Sequence, residues 1–207
     1  MPLQNRVTPF GDLIAVTERG TMFGNRGVLH NDRREIVRAH QVRRWIICVL
    51  EFRGRHRTPM MQPNRYTELF FLDEATALAA GHRPCAECRH RDYQHFRRCF
   101  ATAHGIPSDA LPSADEMDRR LHADRVTAPG VRRTYLDDFR TLPDGAFIVR
   151  DDAPWLLWDG SLHRWTPGGY DRREARPPGG EVTVLTPRGT VAAIAAGYVP
   201  GVHGSVG

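Results

Sequence analysis

The run RRWIICVLEFRGRHR alternates apolar and polar positions and predicts a long strand over 43–57. Its period of two places Trp45, Ile47, Val49, Glu51, Arg53, Arg55 and Arg57 on one face. Ile46, Cys48, Leu50, Phe52, Gly54 and His56 fall on the other, so Cys48 reads as a small buried hydrophobe. RYTELFFL predicts a second strand, followed by a short helix capped by Asp73 and stopped at Gly81. A helix over 86–103 comes next. Ser113 and Glu116 form a capping box that opens another helix, through His122.

Beyond residue 122 the pattern turns to strands. PWLLW and SLHRW flank Asp159-Gly160, the composition of a two-residue hairpin turn. EVTVLT is a further strand, and Thr186-Pro187 fit the N-cap and first position of a last helix closing at Gly197. Trp155, Trp158 and Trp165 are core candidates; exposed, they would stack bases. The expected fold is α+β, an α/β core with a smaller β-rich C-terminal lobe. The Pro/Ser segment GIPSDALP divides it into 1–104, a basic N-terminal segment plus the core, and 105–207, a helix plus the lobe.

Composition narrows the chemistry. All 29 basic residues are arginine. Without lysine there is no side-chain Schiff base, no P-loop lysine and no acidic-acidic-lysine nuclease site. Arginine's planar fork suits phosphate and guanine instead. Residues 1–66 hold 12 arginines against 5 acids, whereas 67–104 are neutral and 105–207 carry a net −2. Such asymmetry fits either a polyanion-binding face or an ordinary solvated surface. Gly24-Asn25-Arg26-Gly27 is turn material that would cradle a phosphate or serve as a plain loop. The chain lacks a membrane-length apolar run and a leader pattern at its start, so a cytoplasmic protein without membrane partners is expected.

Four cysteines in that compartment point to metal, catalysis or burial rather than disulfides. Cys85-x-x-Cys88 opens a helix, where a thiolate would be favoured, but its flanks differ from the thioredoxin motif. A metal needs further ligands. His95 and Cys99 follow on the same helix, and His95 would lie ~10 Å along its axis from Cys88. Partners from elsewhere fit better: His56, His82 or His90.

Residues 44–89 resemble the N-terminal metal-binding module of the Ada DNA-repair family. The matching features are Trp45, Phe70-Phe71, the alanine-rich stretch from Glu74 to Ala80, and Gly81-His82-Arg83-Pro84-Cys85-Ala86-Glu87-Cys88. The resemblance implies zinc ligation by Cys85 and Cys88. Where the family carries its first two cysteines, including the one that accepts a methyl group from damaged DNA, this chain has Gly54-Arg55-His56-Arg57-Thr58-Pro59. The acceptor position is therefore empty, and His56 is the best third ligand. The chain also resembles bacterial proteins that open with a similar MPLQNRV, a likeness that implies no activity.

These features together predict a nucleic-acid-binding protein of DNA repair or processing, with DNA the expected partner. Arg26, Arg53, Arg55 and Arg57 would contact phosphate; Cys85, Cys88 and His56 would hold zinc. One alternative is a divalent-metal-dependent nuclease, with Glu51, His56 and Glu68 as catalytic candidates and His30 and Asp32 behind them. Another is an interaction module in which zinc only stabilises the fold.

Overall fold

In the computed structural model, which describes residues 1–55, 58–128 and 131–207, the protein is α+β. The first sheet has six strands in the order β2-β1-β5-β3-β4-β6. These are β1 (Gln4–Val7), β2 (Leu13–Ala15), β3 (Met22–Asn25), β4 (Ile46–Cys48), β5 (Leu69–Phe71) and β6 (Arg83–Pro84). Most neighbours are antiparallel, but β1 runs parallel to β5, and β4 parallel to β6. The second sheet is antiparallel throughout, in the order β13-β12-β11-β10-β14-β9. Its strands are β9 (Tyr135–Asp138), β10 (Phe147–Arg150), β11 (Ala153–Trp158), β12 (Ser161–Thr166), β13 (Gly169–Ala175) and β14 (Glu181–Val184). A small ribbon joins β7 (Val126–Ala128) to β8 (Val131–Arg132). No helix among the described residues is long and apolar enough to cross a membrane.

The helices are α1 (Glu74–Ala79), α2 (His90–Ala103), α3 (Ala114–Arg125) and α4 (Arg188–Ala195). Alanine lets α1 pack closely on both sides, and all six of its residues are buried. Ala77 and Leu78 join the core that the first sheet shares with α2, α3 and α4. Ala75 and Ala79 face the other way, into a cluster with Phe147, Leu156 and Trp165 of the second sheet. The division expected after residue 104 falls just beyond α2, and packing crosses it: Ile194 and Tyr198 sit in the same core as Phe96 and Phe100.

Local chemistry explains the element ends. Asp73 Oδ1 accepts the Thr76 amide at 2.8 Å, and Ser113 and Glu116 close their box at the start of α3. Asp159 and Gly160 both take positive φ, the turn that matches strand twist in the β11–β12 hairpin. Trp155 and Trp165 are buried, each with its indole N–H satisfied, by Arg150 and Thr76 respectively. Two predicted elements are shorter than their pattern. Among the described residues of the 43–57 run only β4 pairs, and the chain then turns through Arg53 and Gly54, both with positive φ. Residues 86–89 form turns rather than helix, and α2 starts at His90.

Candidate metal centre and the cleft beside it

Pairing between β4 and β6 builds the cysteine site. Ile46 lies opposite Arg83 and Ile47 opposite Pro84, and the Cys85 amide donates to the Ile47 carbonyl at 2.9 Å. That parallel register sets Cys48, the last residue of β4, level with Cys85. The following turn, closed by the Arg89 amide on the Cys85 carbonyl at 3.2 Å, brings Cys88 back to the same place. All three sulfurs lie within 4.8 Å of one another. Cys48 and Cys85 are buried against Phe23, whereas Cys88 is half-exposed.

Electrostatics single out Cys85. The Cys48 thiol donates to it, which draws Cys85 down to about 5 against the opposing effect of burial. Cys85 Sγ also accepts the Glu87 amide at 3.4 Å. The same hydrogen bond, followed by burial, pushes Cys48 well up; burial raises Cys88. Three thiols, of which Cys85 is the most easily ionised, form a set of soft donors that could hold a metal ion. With metal–sulfur bonds of about 2.3 Å, tetrahedral ligands stand about 3.8 Å apart, a spacing this trio accommodates. Among the described residues it is the one group of three or more Cys, His, Asp or Glu side chains so close together.

Cys48 is the candidate ligand that sequence reasoning assigned to the core. It is indeed buried, and its position among Ile46 and Phe70 hid the second role. Of the histidines proposed as partners, His82 is buried against Trp45 and Phe71, and His90 bonds the Ala86 carbonyl at 3.0 Å. His56 and Arg57 lie outside the described residues.

An open cleft of about 870 Å³ adjoins the cysteines. Phe70 links the two, packing on the cluster of Phe23, Cys48 and Cys85 and lining the cleft. One wall is the turn from Leu50 to Arg55 and the other the segment from Glu18 to Gly20. Arg53 and Arg55 are exposed here, their guanidinium carbons 5.0 and 5.3 Å from the centre of the Phe52 ring. Arg55 also pairs with Glu87, two residues from Cys85. The arginines thus meet at a turn tip rather than along a strand face.

The remaining candidates scatter. Arg26 is not on the cleft; it is buried at the far end of the sheet, donating to the Gly11 carbonyl at 2.8 Å. Glu51 is exposed on the cleft wall. Glu68 is buried, accepting the Met61 amide at 2.7 Å, which ties down the preceding loop. His30 is likewise buried between Thr67 and Gln62, and Asp32 is exposed. No protein-family model matches the chain, and no curated protein or solved structure is significantly similar to it.

Proposed function

We propose that this is a nucleic-acid-binding protein of DNA repair or processing, built on an Ada-like scaffold that holds zinc. The observation that carries the reading is the contiguity of the cysteine trio with a cleft lined by arginine and phenylalanine. Cys48, Cys85 and Cys88 would ligate the ion, with His56 as the proposed fourth ligand. Zinc, when bound, would cross-link β4 to the turn that precedes α2, under Phe70 of the cleft wall.

The chain's own residues supply the binding chemistry. Arg19, Arg53 and Arg55 offer forked donors to phosphate, and Phe52 offers an aromatic face to a base. The Arg55–Glu87 pair links the arginine turn to the metal turn, so loss of metal would loosen the grip on phosphate. Glu18 and Glu51 line the same cleft, which favours the divalent-metal nuclease as the second reading.

The test is fluorescence anisotropy with labelled single- and double-stranded DNA across a salt series, beside elemental analysis of protein purified without a metal-affinity tag. One zinc per chain is expected. Replacing Arg53, Arg55 and Arg57 with Ser should weaken binding at low salt, lowering the log–log salt slope by about 0.9 for each duplex phosphate that is no longer neutralised. Unchanged affinity in the folded triple variant would refute the cleft as the phosphate track. Cleavage that needs added Mg²⁺ or Mn²⁺ and disappears in Glu51→Gln would replace binding with the nuclease reading.

A further inference from the structure

Trp45 stands at the opposite end of the first sheet, and cationic side chains crowd it. The guanidinium carbons of Arg125 and Arg26 lie 4.0 and 4.6 Å from the centre of its ring. The imidazoles of His82 and His40 are centred 5.3 and 5.5 Å away. Beside it opens a cavity of about 340 Å³, whose wall includes Gln4, Asp12, Arg26, His40 and Arg132. This volume is at the small end of ligand pockets.

The charges here are not balanced. Arg26, Arg125 and Arg132 form no ion pair among the described residues. Their hydrogen bonds go to carbonyls instead, apart from one between Arg125 and His122 Nδ1 at 3.3 Å. Arg26 donates to Gly11 and Ala39, and Arg125 to Gly81 and Arg43. Arg132 donates to Ala79, Ala80 and Leu185. Carbonyls satisfy N–H groups without neutralising the cation. Asp12, the one carboxylate on the wall, acts favourably on both Arg26 and Arg132, but it is exposed to solvent and forms no ion pair with either among the described residues. Asp118, the carboxylate nearest in influence to Arg125, is already held by both prongs of Arg83.

Capping explains part of the cluster. Arg125 and Arg132 bind the carbonyls at the C-terminal end of α1, where cations are favoured. Arg26 caps no helix, binding loop carbonyls instead, and its Nε, like that of Arg125, finds no acceptor among the described residues although it is buried. Burial, reinforced by the neighbouring guanidiniums, lowers both Arg26 and Arg125 to about 9. A buried cation excess is costly unless a counter-charge joins it.

We propose that this cavity binds a phosphate dianion, free or as the monoester of a small molecule, through Arg26 and Arg132 with His40 at the mouth. Forked guanidiniums match phosphate oxygens two at a time, and the double negative charge offsets two buried cations that share only the exposed Asp12. The site is separate from the cleft: it uses the N-terminal end of β4, whereas the cleft uses its C-terminal end.

Isothermal titration in phosphate-free buffer at fixed ionic strength tests it, with inorganic phosphate in one arm and adenosine 5′-monophosphate in the other. Saturable binding at one site per chain, with a melting temperature that rises with ligand concentration, is expected. Tighter phosphate assigns the free anion; a tighter nucleotide assigns a monoester. His40→Glu, a half-exposed position, should weaken binding at least about tenfold through like-charge repulsion. An unchanged circular dichroism spectrum and ligand-free melting temperature in His40→Glu separate repulsion from misfolding. Failure of both ligands to saturate, or undiminished binding by folded His40→Glu, would overturn the proposal.

Discussion

Cys48 shows why a residue's environment is a poor guide to its role. An apolar setting is what a structural cysteine needs, and it is equally what a closed zinc site provides around its sulfurs. Cys99, also buried, makes the contrast: its sulfur lies 3.8 Å from His95 Nδ1 within the helical core and away from the trio. Cys48→Ser should therefore lower zinc content well below one per chain and remove the effect of chelators on the melting temperature. Cys99→Ser should keep its metal while losing about 1–3 kcal/mol for a buried hydroxyl. Equal metal content in the two variants, measured by elemental analysis, would exclude Cys48 as a ligand.

At the scale of elements, the cysteine turn is pinned by an ion pair from outside it. Arg83, in β6, binds both oxygens of Asp118 on α3, at 3.0 and 2.7 Å, and both side chains are almost fully buried. Removing one partner strands the other charge. Asp118→Asn should cost about 3–5 kcal/mol in denaturant unfolding, whereas Arg83→Met combined with Asp118→Leu should recover much of that loss. A loss below about 1 kcal/mol for the single variant would mean that β6 is held by its strand pairing alone. Gly81 belongs to the same junction. Its φ of +87° closes α1, and a Cβ there would meet Arg125 Cδ at 2.8 Å.

Across the whole molecule, the start of α1 is a junction of three parts of the chain. Asp73 accepts from the Tyr170 hydroxyl and the His203 amide; Glu74 pairs with Arg89 and accepts from Tyr198 and the Gly201 amide. The second sheet, α2 and the C-terminal segment therefore meet at two adjacent carboxylates. The basic cluster around Trp45 acts on the molecule through pH. Burial, with the neighbouring arginines, holds His82 well below its ordinary value and brings His122 to about 4. Unfolded, both histidines take up protons near pH ~6.5. Below that point the unfolded state binds more protons than the folded one, so stability falls as pH drops, for His122 until about 4. The urea midpoint should decline from pH 7.5 to 5, and less steeply in His122→Gln, whose cysteines are intact. Identical slopes would show that His122 does not contribute.

Asp73, the Ser113–Glu116 box, the Asp159-Gly160 hairpin and the Cys85/Cys88 pair could all be read along the chain. Each acts through hydrogen bonds or geometry spanning only a few residues, so neighbouring sequence suffices to specify it. The absence of lysine, and the chemistry it excludes, needed no fold at all. Folding alone settled the rest. Cys48 reached the cysteine trio through parallel pairing with a segment nearly forty residues away, and side-chain alternation along one strand does not name such a distant partner. Arg26 went into the interior, and Glu68 onto a loop amide, because distant backbone groups needed those partners on burial. Arg53 and Arg55 moved from a presumed strand face to a turn tip, since tertiary pairing ended β4 before its pattern did.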